Sequence, residues 1–301
     1  MFKRLTSFIL FGNHFYGICA VGLSIEASLQ QFVPLNPFFY YLLVYAASVV
    51  YYTKAYINET TADTNNKRSV WYLSNKRMVF ISQLFFTAVM ALAVFILFKD
   101  SWRNLLHMSI AEWFLILVFP LTGAMYYGII PIFSRYNLRN TGWMKPFVIG
   151  FVWAGFVTVY PLLFQSVRSG KTYHPTLVAF LLSLKNFMFV AVLCIMFDIK
   201  DYASDHNHQL KTFVVRVGLR KTIFYIIIPL CVIGLTTFIM YASIRLFPVM
   251  RIIINMIPFI LLIIVAYSLH RRKTILYYLA IIDGLMLVKA ICGSVGILLI
   301  K

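Results

Sequence analysis

The amino-acid sequence predicts an all-α membrane protein, a bundle of about nine transmembrane helices that forms a single domain over residues 1–301. Hydrophobic residues make up 61% of the chain and charged residues only 12%, and the mean hydropathy is +0.84. Soluble domains carry about 25% charged residues, so this composition indicates a chain whose apolar surface faces lipid. The sequence contains no Pro/Gly/Ser-rich linker that would mark a domain boundary.

Apolar segments of about 20 residues, the length that crosses a bilayer, recur along the whole chain. The first segment contains Asn13 and His14 and lacks a small-residue cleavage site, so we interpret it as a retained span and not as a signal peptide. The nine predicted spans cover residues 7–25, 38–57, 78–98, 110–131, 146–166, 175–197, 222–246, 250–269 and 274–299.

The distribution of basic residues predicts the orientation in the membrane. A cytoplasmic N-terminus places most of the 27 lysines and arginines at cytoplasmic borders, as the positive-inside rule requires. The three sizeable polar segments, residues 58–77, 132–145 and 198–221, then lie on the cytoplasmic side. If the protein has a functional site built from these segments, we expect it to open to the cytoplasm. The net charge of +18 suits anionic lipid headgroups and an anionic substrate. Without a basic soluble module, nucleic-acid binding is disfavoured.

Three of the nine acidic residues, Asp198, Asp201 and Asp205, follow directly after the sixth predicted span. Positions i, i+3 and i+7 of a helix project from nearly one face, so the three carboxylates are expected to lie close together. Like charges at that distance repel, and Mg²⁺ bridged to a phosphate is a common means of holding them. The alternative interpretation is a solvated helix end.

A specific motif surrounds these aspartates. Residues 197–205 read FDIKDYASD, and Lys211-Thr212 and Val217-Gly218 follow. This run resembles the second aspartate-rich motif, D-x-x-D-x-x-x-D, of the UbiA superfamily of intramembrane prenyltransferases. The helix count, the polar loops after helices two and six and the Tyr/Lys-containing stretch after helix four (126–145) also resemble that family, so the resemblance covers essentially the whole chain.

The loop after the second span departs from the family pattern, N-D-x-x-D-x-x-x-D. The residues in those positions are Asn58, Glu59, Ala62 and Asn66. Two carboxylates remain, because Glu59 and Asp63 are spaced i, i+4 and would share one helical face. We expect them to complete the metal site in a shifted register. Alternatively, they pair with Lys67 and Arg68 on a solvated loop.

The resemblance implies Mg²⁺-dependent transfer of an isoprenyl group from a polyprenyl diphosphate to an aromatic or other lipophilic acceptor within the membrane. The implied catalytic residues, which are also metal ligands, are Asp198, Asp201 and Asp205, joined in metal binding by Glu59 and Asp63. The implied diphosphate-binding residues are Asn58, Lys67, Arg68, Tyr127, Arg139, Lys145 and Lys211. The 28 Phe, 19 Tyr and 5 Trp are enough to line a dry pocket around an allylic cation. No residue indicates the acceptor, the prenyl chain length or the oligomeric state.

Two other functions stay open at this point. The altered first motif is compatible with a catalytically weakened prenyl-lipid binding protein of the same fold. A transporter would also carry charges among its spans. Lys185, Asp283 and Lys289 lie inside predicted spans. We expect one of these lysines to pair with Asp283 across the bundle, either as a structural pair or as part of a proton relay.

Overall fold

The computed structural model describes residues 2–57, 67–126, 142–207, 211–271 and 273–299, and all regular structure in these ranges is helical. The helices are α1 (Phe2–Phe11), α2 (His14–Gln30), α3 (Phe38–Ile57), α4 (Lys67–Ser74), α5 (Lys76–Phe98), α6 (Trp102–Leu106), α7 (Ile110–Tyr126), α8 (Lys145–Ser169), α9 (Leu177–Asn207), α10 (Phe213–Val217), α11 (Leu219–Ile244), α12 (Val249–Ser268) and α13 (Ile275–Leu298).

Within the described residues, six helices are long and apolar enough to cross a membrane: α5, α8, α9, α11, α12 and α13. The count becomes seven if α1 and α2 form one span that is bent by 61°. The predicted count of nine is therefore not confirmed. The other two predicted spans correspond to α3, a helix of 20 residues, and to the shorter apolar helix α7. Together these helices make the chain an integral, multi-pass membrane protein.

The helices surround a shared interior. The long helix α9 packs against α8 on one side and α11 on the other, and α12 packs between α11 and α13. Helix α2 contacts both α13 and α3, and α7 packs against α8. In contrast, α5 packs mainly on α3 and exposes large apolar side chains such as Phe85 and Phe95. Such a surface is suited to lipid.

Three of the spanning helices contain one wider π-helical turn each, at Gly155–Val159, Ile223–Ile227 and Tyr278–Ile282. The first two turns precede Pro161 and Pro229. A proline lacks the N–H for an α-helical bond and its ring collides with the preceding turn, which accounts for these two. The third turn contains no proline and closes with a hydrogen bond of 3.1 Å from Asp283 N to the Tyr278 carbonyl. Wide turns of this kind are frequent at functional sites.

A buried ionic cluster joins α2, α9, α12 and α13. The Glu26 carboxylate accepts hydrogen bonds from Lys289 Nζ at 2.5 Å and from Lys185 Nζ at 3.2 Å. Gln30 accepts from Lys185 at 2.8 Å and donates to Glu26 at 3.0 Å and to Asn255 at 2.9 Å. We call these five residues the Glu26 cluster.

The Glu26 cluster corrects the expected pairing of the intramembrane charges. Both lysines bind Glu26, so the prediction that Lys185 or Lys289 faces Asp283 is wrong. The reason lies in the end of the first span. The sequence places that end at residue 25, whereas α2 continues to Gln30 and buries Glu26 completely. A carboxylate at this depth needs cationic partners, and the two lysines supply them.

Candidate functional site

A cavity of about 250 Å³ lies among α2, α3, α4, α8, α9 and α13, near the end of α9 that carries the aspartates. Its walls are partly charged and largely aromatic. The polar and aromatic side chains that line it are Tyr16, Tyr51, Tyr52, Tyr56, Arg68, Tyr126, Lys145, Trp153, Phe197, Lys200, Asp201 and Asp283.

The charged side of the cavity combines the ends of α8 and α9. Lys145 is the first residue of α8, where Pro146 sits in the first turn and suits a helix start. Its Nζ lies 2.8 Å from Asp198 Oδ1, and the Asp198 side chain is completely buried. One turn further along α9, Asp201 is 39% exposed and pairs with Lys200 at 2.6 Å. The buried pair fixes the two helix ends against each other, while Asp201 and Lys200 lie in the cavity wall.

Arg68 adds a third cation to the cavity wall, and the surrounding residues hold its guanidinium in place. It lies 4.3 Å from the Tyr56 ring centroid and donates a hydrogen bond to Asn13 Oδ1. Asn13 Nδ2 donates to Thr53 Oγ1 and to the Tyr72 hydroxyl, both at 2.9 Å. Burial raises the pKa of the Tyr72 phenol, so Tyr72 stays protonated and donates to the Phe11 carbonyl at 2.7 Å. The bend between α1 and α2 therefore positions Arg68.

Aromatic side chains line the interior of the cavity. The Tyr16 and Tyr52 rings stack with their centroids 4.5 Å apart. Trp153 Nε1 donates to the Tyr52 hydroxyl at 2.5 Å, which connects α8 to α3. The faces of such rings carry negative potential and attract cations. A cation formed inside this cavity would thus meet aromatic faces on several sides.

A second, apolar cavity of about 370 Å³ lies between α3, α7 and α8. It shares Tyr51, Tyr52, Ile149 and Trp153 with the first cavity. These four side chains form the partition between a polar compartment and an apolar one.

The structure brings together four of the residues that the sequence singles out. Arg68, Lys145 and Asp201 line the cavity, and Asp198 lies behind Lys145. The exposed side chains of Lys67 and Lys211 are not among the lining residues. Asn58, Glu59, Asp63, Tyr127 and Arg139 fall outside the described residues, as does the side chain of Asp205.

Asp283 is a site residue that sequence reasoning placed elsewhere. It follows the π-helical turn of α13 and lines the same cavity, where Arg68 and Lys200 attract it electrostatically. Only 3% of its surface is exposed. The Tyr16 hydroxyl interacts with its carboxylate. The sequence shows that Asp283 is an acidic residue inside an apolar span, but it does not show which cavity the residue lines.

Comparison with solved structures shows the fold. The chain superimposes over its full length, and over the full length of the other chain, on a digeranylgeranylglyceryl phosphate synthase, with a TM-score of 0.55 and 13% identity. The chain has a UbiA-like fold. The UbiA resemblance of the aspartate motif and the three-dimensional arrangement thus agree. No protein-family model matches the sequence, and no curated protein matches it either.

The carboxylates at this end of α9 have the donor chemistry that Mg²⁺ prefers, since Asp198 and Asp201 present oxygen ligands from successive turns of the helix. Among the described residues, no three His, Cys, Asp or Glu side chains form a metal-binding group. The remaining predicted ligands Glu59, Asp63 and Asp205 are the ones whose side chains are not described. Magnesium binding therefore stays a prediction.

Proposed function

We propose that this protein is a membrane prenyltransferase, which transfers an isoprenyl group from an isoprenyl diphosphate to a lipophilic acceptor. The observation that carries the proposal is the composition of one cavity. Lys145, Lys200 and Arg68 supply positive charge on its wall, and tyrosines together with Trp153 line its interior. The fold neighbour, a digeranylgeranylglyceryl phosphate synthase, supports the same class of chemistry.

The cationic residues are suited to bind the diphosphate. An isoprenyl diphosphate ionises when its leaving group is stabilised, and preorganised positive charge at that position lowers the barrier. Lys145 and Lys200 are each 24% exposed, so they are accessible from the cavity while their pairing with Asp198 and Asp201 holds them in place. Arg68 is suited to two oxygens of one phosphate because its donors form a fork.

Magnesium would bind to the carboxylates at the same end. Asp201 in the cavity wall and Asp198 behind Lys145 are the described residues that would hold it, and Asp205, Glu59 and Asp63 are the further predicted ligands. When bound, Mg²⁺ supplies Lewis-acid stabilisation of the leaving diphosphate.

The aromatic interior of the cavity is suited to the isoprenyl group of the donor. The allylic carbon gains positive charge as the diphosphate departs, and the stacked rings of Tyr16 and Tyr52 offer their negative faces to it. The cavity beyond Tyr52 and Trp153 gives the isoprenoid chain a compartment whose walls are mostly apolar. Exclusion of water from such a pocket also protects the allylic cation from hydrolysis.

The charge distribution supports a cytoplasmic N-terminus and a cavity that opens to the cytoplasm. Single-cysteine labelling at Ser74 and Ser169 tests this orientation in intact cells. Ser74 ends α4, the helix that carries Arg68, and Ser169 ends α8 at the end away from Lys145. We expect Ser74→Cys to react only with a membrane-permeant reagent and Ser169→Cys to react with an impermeant one. The reverse pattern would contradict the orientation.

Activity is tested by incubating the purified protein in lipid nanodiscs with Mg²⁺ and isoprenyl diphosphates of increasing length, and measuring diphosphate release with and without hydroxyl-bearing acceptors. Asp201→Asn should lower release by a factor on the order of 10². Asp100→Asn is the matched control, since Asp100 is an exposed acid away from the cavity. Donor binding without release would favour a prenyl-lipid binding protein, and absence of both would contradict the proposal.

A further inference from the structure

Asp283 is the most unusual polar group that the proposed diphosphate chemistry does not use. Its carboxylate lies in an apolar helix and is almost fully buried, yet it lines the cavity. Within the described residues, Asp283 Oδ2 has no hydrogen-bond partner. Burial of an unsatisfied polar group costs several kcal/mol (roughly 2–7), so its retention calls for a specific cause.

The ionic partners nearby do not supply that cause. Both lysines of the membrane interior are bound to Glu26. Lys145 binds Asp198, and Lys200 binds Asp201. Arg68 and Lys200 attract Asp283 electrostatically, but the Arg68 guanidinium donates a hydrogen bond to Asn13. A ligand in the cavity is the remaining candidate partner.

The backbone at Asp283 is also specialised. The π-helical turn Tyr278–Ile282 ends at this residue without a proline to cause it. One extra residue in a turn rotates the following side chains by about 100° relative to a regular helix. Asp283 directly follows this turn and lines the cavity, as Leu279 within the turn does, and Gly284 after it leaves space free of side-chain contacts.

We infer that Asp283 binds the acceptor and takes its proton. This inference rests on the proposed prenyl transfer. In the transfer, the C1–O bond of the donor breaks and its electron pair leaves with the diphosphate. A lone pair of the acceptor hydroxyl forms the new bond to C1, and the hydroxyl proton passes to the Asp283 carboxylate, which releases it to solvent when the product departs. Tyr16, whose hydroxyl interacts with the carboxylate, is a positioning residue.

The chemistry of Asp283 also restricts the acceptor. A buried carboxylate accepts hydrogen bonds from neutral O–H groups, whereas a second carboxylate or phosphate at the same position would be repelled. The reacting end of the acceptor is therefore a neutral hydroxyl.

The experiment compares the wild-type protein with Asp283→Asn in nanodiscs. The probes are geranylgeranyl diphosphate with Mg²⁺ as donor and, as acceptors, hydroquinone and monooleoylglycerol. Trioleoylglycerol, which has no free hydroxyl, is the negative control. We expect Asp283→Asn to lower prenylation of the neutral acceptors by a factor on the order of 10². Its affinity for a non-ionisable thiolodiphosphate analogue of the donor should stay within about threefold, because the residues proposed to bind the diphosphate are Lys145, Lys200 and Arg68.

The melting temperature separates this role from a structural one. Since Asn removes an unpaired buried charge and keeps the shape, Asp283→Asn should melt at the same or a higher temperature than wild type. A lower melting temperature with proportional loss of donor binding would overturn the inference in favour of a structural role.

Failure of the inference is distinguishable from failure of the proposed function. Unchanged prenylation by Asp283→Asn would overturn the inference alone, as would a wild-type protein that releases diphosphate but prenylates none of the neutral probes. Absence of both donor binding and diphosphate release in the wild-type protein would overturn the proposed function and the inference with it.

Discussion

Two polar clusters lie inside this membrane protein, and they are built in opposite ways. In the Glu26 cluster, the carboxylate accepts three hydrogen bonds, and both lysines donate hydrogen bonds to side-chain oxygens. The cavity cluster of Lys145, Asp198, Lys200, Asp201 and Asp283 contains two ion pairs and faces an open space. Its Asp283 Oδ2 is buried and has no hydrogen-bond partner in the described part of the chain. The comparison teaches that buried charge alone does not mark a site. Unused hydrogen-bonding capacity beside a cavity does.

The largest effect on stability is expected at Glu26. In Glu26→Gln two buried lysines lose their counter-charge, and removal of one partner from a buried ion pair costs about 3–5 kcal/mol. The unfolding free energy, measured by SDS titration in mixed micelles, should fall by that amount. An unchanged value would show that the Glu26 cluster does not stabilise the bundle.

A smaller effect is expected at Lys145, which borders both the protein interior and the cavity. Lys145→Met leaves the buried Asp198 without this cation and should lower the unfolding free energy by about 1–3 kcal/mol. Diphosphate release should also fall, because a cation leaves the cavity wall. Lys145→Arg is the matched control and should recover stability more than activity. Full activity of Lys145→Met would remove Lys145 from the proposed diphosphate site.

Substitutions in the partition between the two cavities should lower the unfolding free energy less than those at Glu26 and Lys145. Trp153→Phe keeps a ring in the wall but removes the hydrogen bond to the Tyr52 hydroxyl, which is expected to cost about 0.5–1.5 kcal/mol. Tyr52→Phe removes the same bond from the other side. If the bond is the only loss, the double variant should be no less stable than the less stable single variant. Additive losses in this double-mutant cycle would contradict a direct bond.

The smallest effect on stability is expected at Asp201. Its pair with Lys200 is partly exposed, and such pairs contribute about 0–1 kcal/mol. Asp201→Asn should therefore unfold nearly like the wild type although it loses diphosphate release. A stability loss as large as that of Glu26→Gln would erase the distinction between the two clusters.

Much of the fold follows from the apolar pattern, because a bilayer requires about 20 apolar residues per span. The predicted second span, 38–57, coincides with α3, and the predicted ends of α12 and α13 lie within one residue of the observed ones. Polar residues at helix ends are harder to assign to a span from the sequence. Glu26 lies one residue past the predicted end of its span. It was therefore not counted among the charges inside the membrane, and the partner of the two lysines was missed.

The site was predictable where the aspartate motif resembles a family and less so elsewhere. Asp201, Lys145 and Arg68 come from three separate segments, and their common cavity depends on how α4, α8 and α9 pack. Asp283 follows a π-helical turn that contains no proline, and the apolar pattern does not indicate which cavity it lines. Long-range packing and an irregular turn leave little trace in the local pattern of apolar residues.

Asn13, at the bend between α1 and α2, has a consequence for mutational tolerance. Its backbone is left-handed, with φ of 63°, a conformation that glycine, asparagine and aspartate adopt most readily. Its amide must also donate twice and accept once. Glycine has no side chain for these bonds, and aspartate cannot donate. In a saturation scan, position 13 should therefore reject every substitution, whereas lipid-facing positions of α5 should accept most apolar ones.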